Sequence, residues 1–533
     1  MEEFDYIIVG AGSSGCVLAA RLSEDPSARV LVLEAGPEPK SPWITIPVGV
    51  SRLIFPGKYN WGYSSEAEKT LGGRSIYIPR GKTLGGSSAI NGMAYVRGHP
   101  EDYDVWRQMG NSGWGWDDVF PYFKKSEARE GGGDDFHGGN GELSVTDPRL
   151  RHATSKAFVE AAVNYGLPRN PDYNGAEQEG VGFLQFSIRN GMRHSTAAAF
   201  LENARARANL TVVTEAHVQR IDFDGRRAAG ISYRRGNGDI QQAKARREVT
   251  ISAGAIDSPK LLMLSGIGPA EKLQELGIPV VADLPGVGAN LQDHAYVHYN
   301  CQSTADASVN RQLRGWRPYL HGAYYVMTRR GLLSMGSSQA VAFARTLPGA
   351  TRPDIQMMFR PMSWEFSPDG TLEIGRDPAL TASTCFLRPH SRGHIELRSA
   401  DAGDRPKIFT NYLEAQADRD AAVAGIRLMR GIFAKEPLKS KIVAEIDPGP
   451  DCRNDDEIVD YARRTVQSMH HWCGTCKMGD DNMAVVDDHL RVRGVEGLRV
   501  IDASIMPTVP SGNTNAPAIM VAEKGADLIS QAG

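Results

Sequence analysis

Hydrophobic positions begin in a block. Phe4 to Val9 is apolar except for Asp5, and after Gly10-Ala-Gly-Ser-Ser-Gly15 the apolar residues Val17, Leu18 and Leu22 recur at helical spacing. A second apolar run, Val30 to Leu33, ends in Glu34-Ala35-Gly36. Strand, glycine turn, helix and strand predict one βαβ unit with a buried parallel pair of strands. From Pro37 to Gly141 the chain is rich in Gly, Pro and Trp with few long periodic runs, which predicts extended segments and short helices that wrap a ligand. Phe158, Val159, Ala162 and Val163 predict a helix over Ala153 to Gly166, and Leu201 to Ala208 reads as a short solvent-facing helix. Leu210 to Thr214, Val218 to Phe223, Ala229 to Tyr233 and Glu248 to Ser252 then predict strands returning to the first layer, with turns at Gly225 and Gly236. Between Tyr296 and Thr465 the pattern changes to alternating strands, such as Gly393 to Ser399, and a helix from Asp418 to Phe433. That predicts a second domain built on an antiparallel sheet.

Composition narrows the function classes. A length of 533 residues exceeds the usual domain of about 100 to 200 residues, so more than one structural unit is expected. With 41% hydrophobic and 23% charged residues the chain is neither disordered nor collagen-like. Lys plus Arg 60 against Asp plus Glu 63 gives a net charge of −3, which offers no bulk attraction to nucleic acid and favours a small-molecule partner. The pair Arg205 and Arg207 makes no patch against that balance. Six cysteines are too sparse for a disulfide framework, so a reducing, cytoplasmic setting is the expectation. The first strand starts behind two glutamates with no room for a signal peptide, and no apolar run approaches the roughly 18 residues of a transmembrane helix. A soluble protein is expected, with peripheral membrane contact left open.

Gly10-x-Gly12-x-x-Gly15 stands where a dinucleotide site requires it, after a strand and opening a helix. Gly10 allows the tight turn, Gly12 lets backbone approach a pyrophosphate at the helix N-terminus, with Ser13 and Ser14 beside it, and Gly15 lets helix pack on strand. Glu34, followed by Ala35, can accept hydrogen bonds from a ribose diol. The fingerprint alone does not separate NAD from FAD.

Two further segments do. Arg80-Gly-Lys-Thr-Leu-Gly-Gly-Ser-Ser-Ala-Ile-Asn-Gly-Met-Ala-Tyr95 and Gly254-Ala-Ile-Asp-Ser-Pro-Lys-Leu-Leu-Met-Leu-Ser-Gly-Ile-Gly268 resemble signature segments of the glucose-methanol-choline (GMC) flavoprotein oxidoreductases. So do His471-Trp-Cys-Gly-Thr-Cys-Lys-Met-Gly479, Asp502 to Pro507 and Ser511 to Pro517, and the motifs span nearly the whole chain in family order. The glycines and small hydroxyls around Gly86 and Ser87 suit backbone lying against a flat ring. By the resemblance, Thr83, Asn91, Gly92, Met93 and Ala94 contact FAD, Val218 meets its adenine through the backbone, Asp502 and Ala503 reach the phosphate and ribityl region, and Trp61, Asn513 and Thr514 complete the cofactor site. Some relatives bond flavin to a histidine at the position of Ile90; an alkyl side chain cannot do so, which implies non-covalent FAD.

The resemblance implies a GMC fold: an α/β, Rossmann-like FAD-binding domain over residues 1–151, 194–295 and 465–533, and an α+β substrate domain with an antiparallel sheet over residues 152–193 and 296–464. Alcohol oxidation needs a base for the hydroxyl proton, and histidine suits that work near neutral pH. His471 aligns with the family's catalytic histidine and Asn513 with the second member of the pair, which would donate a hydrogen bond to the developing alkoxide. His470 stands where relatives carry an aromatic residue, and Trp472 stands where they carry proline; whether His470 fills the aromatic slot or touches substrate stays open. Cys473 and Cys476 have the spacing of half a zinc site but lack two further ligands, so no metal is expected and they read as structural thiols.

The implied function is oxidation of an alcohol, primary and neutral or aromatic, to the aldehyde or ketone, with reoxidation by an external acceptor such as a quinone or another carrier. Aromatic residues around Trp364 and Phe366 would shape the pocket. The competing readings are an oxidase that uses oxygen, a lyase resembling the flavin-bound hydroxynitrile lyases, and a flavin-binding protein without catalysis.

Overall fold

Two seven-stranded sheets carry the architecture in the computed structural model, which describes residues 2–366 and 372–532. The first runs Leu210–Val213, Val30–Leu33, Glu2–Val9, Ile240–Ile251, Arg227–Arg235 and Ala216–Asp224, with Leu498–Val500 pairing parallel to Ile240–Ile251. Its centre is parallel, because Tyr6 to Val9 and Val30 to Leu33 are apolar at every position and are buried on both faces. Its edge is an antiparallel hairpin that turns at Gly225, where φ is +59°. The strands expected after residue 210 do return to this layer.

The turn from Val9 into the helix Ser13–Leu22 admits only glycine at two points. Gly10 has φ +95°, and a Cβ on Gly15 would stand 1.9 Å from the Gly10 carbonyl oxygen. The short helix expected over residues 201–208 is shifted. The helical backbone instead spans Ala197–Leu201 and Glu202–Ala204, because Ala197, Ala199, Phe200 and Leu201 are buried and this turn packs on Ser13–Leu22. Arg205 pairs with Glu38, whereas Arg207 reaches back to Ser23 Oγ at 2.7 Å and ties the turn to that helix.

The second sheet is antiparallel and runs Ile442–Asp447, Ala295–Ser303, Ala379–Phe386, Ile355–Arg360, Ala340–Ala344 and Gly180–Phe183, with Gln467–Ser468 beside Ala295–Ser303. The helices Ala153–Tyr165 and Gln416–Phe433 cover one face, where Phe158 stacks on Phe359 at 4.5 Å. Period-two alternation therefore turns Tyr296, His298, Gln356, Met358, Arg360 and Ser383 to the opposite face. The expected strand over 393–399 shrinks to His394–Glu396, which pairs with Lys407–Phe409 in a small separate sheet.

Candidate active site

One cavity runs from the glycine turn to His471 and Asn513. Its walls include Gly10, Gly12, Ser13, Ser14, Glu34, Ala35, Trp61, Gly86, Ser87, Asn91, Gly92, Met93, Ala94, Val218, Asp502, Ala503, Asn513 and Thr514, which sequence reasoning had assigned to the cofactor. Two assigned residues lie behind the wall instead. Gly15 packs helix on strand, and Thr83 is fully buried with Oγ1 donating to the Pro37 carbonyl at 2.6 Å. Trp364 also stands apart, packed on the cluster of Val309, Leu332, Met335 and Met362, and the Phe366 side chain lies outside the described residues.

The cavity has the chemistry of a dinucleotide site. The helix Ser13–Leu22 has Gly12 at its N-cap with no side chain capping its first amides, so donors and the positive end of the helix dipole face the cavity. A Cβ on Gly86 would lie 2.7 Å from the Gly12 Cα, so the two glycine loops touch without side chains between them. Glu34 accepts from Ala11 N–H at 3.0 Å and Gly36 N–H at 2.8 Å, and burial pushes its carboxyl up to about 7. Asp502 is held by Gly254 N–H at 2.8 Å, Ser258 Oγ at 2.5 Å and Ser504 N–H at 2.7 Å, which turns its carboxylate onto protein donors. Asn91 Oδ1 accepts from Met93 N–H at 3.0 Å and Arg193 at 2.8 Å. His470 Nδ1 is buried beside the cavity and has no partner among the described residues. These features fit a bound flavin dinucleotide.

At the far end, Asn513 Nδ2 lies 2.9 Å from His471 Nε2. His471 Nδ1 lies 2.9 Å from His294 Nδ1, and His294 Nε2 lies 3.0 Å from the Leu387 carbonyl oxygen. The hydrogen positions follow from the last acceptor. A carbonyl only accepts, so His294 Nε2 carries the proton; burial lowers this imidazole to about 4, so it is neutral and its Nδ1 is bare. His471 Nδ1 must then be the donor, which leaves Nε2 as a lone pair aimed at the cavity. Gln356 Nε2 donates to Asn513 Oδ1 at 3.2 Å, which fixes the amide so that its NH2 faces His471. Asp293 anchors the histidine backbone, accepting from His471 N–H at 2.6 Å and from the hydroxyls of Ser468 and Tyr412.

Burial, then His294, His470 and Arg80, hold His471 well below the ordinary histidine value of 6.5, and burial holds His470 at about 3. Both imidazoles are neutral at physiological pH, so the base stands ready without losing a proton first. Asp293 is pushed up to about 6 by burial.

Sequence reasoning missed His294, Asp293, Gln356 and Arg360. Arg360 lines the same cavity with Tyr296 and Met358. The histidine–acid step in Gln292-Asp293-His294 and the period-two strand Gln356-Met-Met-Phe-Arg360 were the available signals. Cys473 and Cys476 are buried free thiols. Among the described residues no helix is long and apolar enough to cross a membrane.

Comparison with known proteins gives a consistent result. The GMC oxidoreductase N-terminal and C-terminal family models match residues 4–296 and 389–522. An alcohol dehydrogenase [acceptor] of Pseudomonas putida is 44% identical over 530 residues, covering 99% of this chain and 95% of that protein. Human mitochondrial choline dehydrogenase is 42% identical over 541 residues, covering 99% and 90%. Among solved structures, pyridoxine 4-oxidase from Mesorbium loti superposes with a TM-score of 0.89 at 33% identity, covering 98% of each chain.

Proposed function

The chain belongs to the GMC oxidoreductase family, and from that membership we propose that it oxidises the CH–OH group of a primary alcohol at His471 and Asn513. It is an FAD-dependent oxidoreductase that acts on alcohols. The observation that carries the reading is the 2.9 Å contact of Asn513 Nδ2 with a bare His471 Nε2 on the wall of the cofactor cavity. An alcohol oxygen inserted there donates its proton to Nε2 and accepts from the Asn513 NH2. The bound isoalloxazine ring supplies the acceptor for the hydrogen that leaves the carbinol carbon with its electron pair. As the O–H bond breaks, His471 takes the proton, and its Nδ1–H, bonded through His294 to the Leu387 carbonyl, spreads the new positive charge along a chain of dipoles. Asn513 stabilises the negative charge growing on oxygen. The product is the carbonyl compound, and the reduced cofactor would need an external acceptor.

Ile90, buried on the cavity wall where some relatives carry the flavin-linking histidine, leaves FAD non-covalent. Without oxygen, the yellow protein is expected to bleach with at least one primary alcohol, and acid precipitation of a parallel sample is expected to leave a colourless pellet. Flavin unbleached by every alcohol would refute the oxidation, and a yellow pellet would refute the non-covalent link. Admitting air then sorts the acceptor, since peroxide marks an oxidase and persistent bleaching marks another carrier.

A further inference from the structure

The face of the antiparallel sheet that looks into the catalytic cavity carries a cation without an anion. Arg360 lines that cavity. Its Nη2 donates to Ser383 Oγ at 2.9 Å, the same hydroxyl meets His298 Nδ1 at 3.0 Å, and its Nε is fully enclosed with no partner. Four other arginines with little exposure are met by more oxygens. Arg97 binds Glu127, Arg21 binds Glu523, Arg499 binds Glu248, and Arg193 is met by the oxygens of Ile44, Ser88 and Asn91. No described carboxylate pairs with Arg360, and Tyr296 is its one ionisable influence besides burial. A half-buried guanidinium whose Nε is enclosed without a partner and whose one contact is neutral gains when a ligand completes it.

Position says which part of a ligand does so. Arg360 is on the strand whose Gln356 orients Asn513, and four residues of strand, about 13 Å, separate the two backbone positions. Met358, between them on the same face, adds an apolar wall. Resting on the alcohol-oxidising reading above, we propose that Arg360 binds the carboxylate of a hydroxy acid whose carbinol, separated from it by an apolar spacer, sits at His471 and Asn513. A planar guanidinium forks onto a carboxylate through two parallel hydrogen bonds. His298, the other basic group in this network, is held neutral by burial at about 3, so the network presents one guanidinium and suits a singly charged carboxylate better than a phosphate, while Arg80 on the same cavity wall donates to the His470 carbonyl oxygen at 3.0 Å. The same charge repels a quaternary ammonium alcohol such as choline, the substrate named for some relatives.

The test measures anaerobic flavin reduction by 4-(hydroxymethyl)benzoate, benzyl alcohol and choline in the holoenzyme and in Arg360→Leu and Arg360→Lys, with the bound-flavin spectrum as the check of folding. Each protein is scored by the ratio of the second-order rate constant of flavin reduction for the hydroxy acid to that for benzyl alcohol, which cancels any general damage. The ratio is expected to exceed about 10 in the parent, to fall about 10- to 100-fold in Arg360→Leu, chiefly through the substrate dissociation constant, and to fall less in Arg360→Lys, which keeps a charge but loses the fork. Choline is expected to be the poorest of the three. A parent ratio at or below one, a ratio unmoved in Arg360→Leu, or choline outrunning the hydroxy acid would overturn the proposal. Benzyl alcohol bleaching the parent throughout would leave the alcohol-oxidising reading standing on its own.

Discussion

Replacing His471 by alanine is expected to slow anaerobic flavin reduction by an alcohol by about 10³-fold or more, while FAD stays bound. The magnitude follows from the loss of a positioned base, whose removal typically costs about 10² to 10⁴ in rate. Here the loss is compounded, because Nε2 is also the acceptor that Asn513 faces and the place where the carbinol proton goes. The polar groups that would anchor the cofactor lie elsewhere, at the uncapped helix after Gly12 and around Glu34, so binding is expected to persist. Stopped-flow absorbance of the flavin band reads both at once. Reduction within tenfold of the parent rate would show that another group takes the proton.

Asn513→Ala carries the second largest effect, a fall of about 10² to 10³ in the same rate, the usual cost of deleting one donor to a developing oxyanion. The amide is held for that task by Gln356, so the donor points at the oxygen before substrate arrives and little reorganisation is needed during the reaction. Asn513→His, which keeps a donor, is expected to retain more activity than Asn513→Ala. Equal rates in the two variants would mean that shape rather than donation matters at this position.

The glycine turn was legible because each glycine answers a local backbone demand. Gly10 needs its positive φ, and Gly15 has no room for a Cβ, and both needs arise within one strand, one turn and one helix. The proposed catalytic pair came only through family resemblance, since nothing in the forty-odd residues around His471 says that its Nε2 meets an amide from the next motif. His294 escaped because its role depends on which imidazole nitrogen faces the Leu387 carbonyl, a fact of tertiary geometry. Arg360 escaped for a related reason. The alternation of its strand is visible in the sequence, but which face meets the cavity is set by Phe158 stacking on Phe359 from the helical side. The helix misplaced to 201–208 shows the opposite weakness, where a run of alanines that is apolar all round hides the start of a buried turn.

The claim underlying the mechanism is that His471 waits as a neutral imidazole, its proton fixed on Nδ1 by His294. The limiting rate of anaerobic flavin reduction by an uncharged alcohol, measured against pH, addresses it most directly. A base whose proton affinity is depressed by burial stays neutral to lower pH, so the rate is expected to be flat from pH 6.5 up to roughly 9, declining only near pH 6 as Asp293 takes up a proton and loosens its hold on the His471 backbone. A rate that instead rises through a midpoint between about 6.5 and 8.5 would mean that His471 rests as an imidazolium, and the account would be wrong.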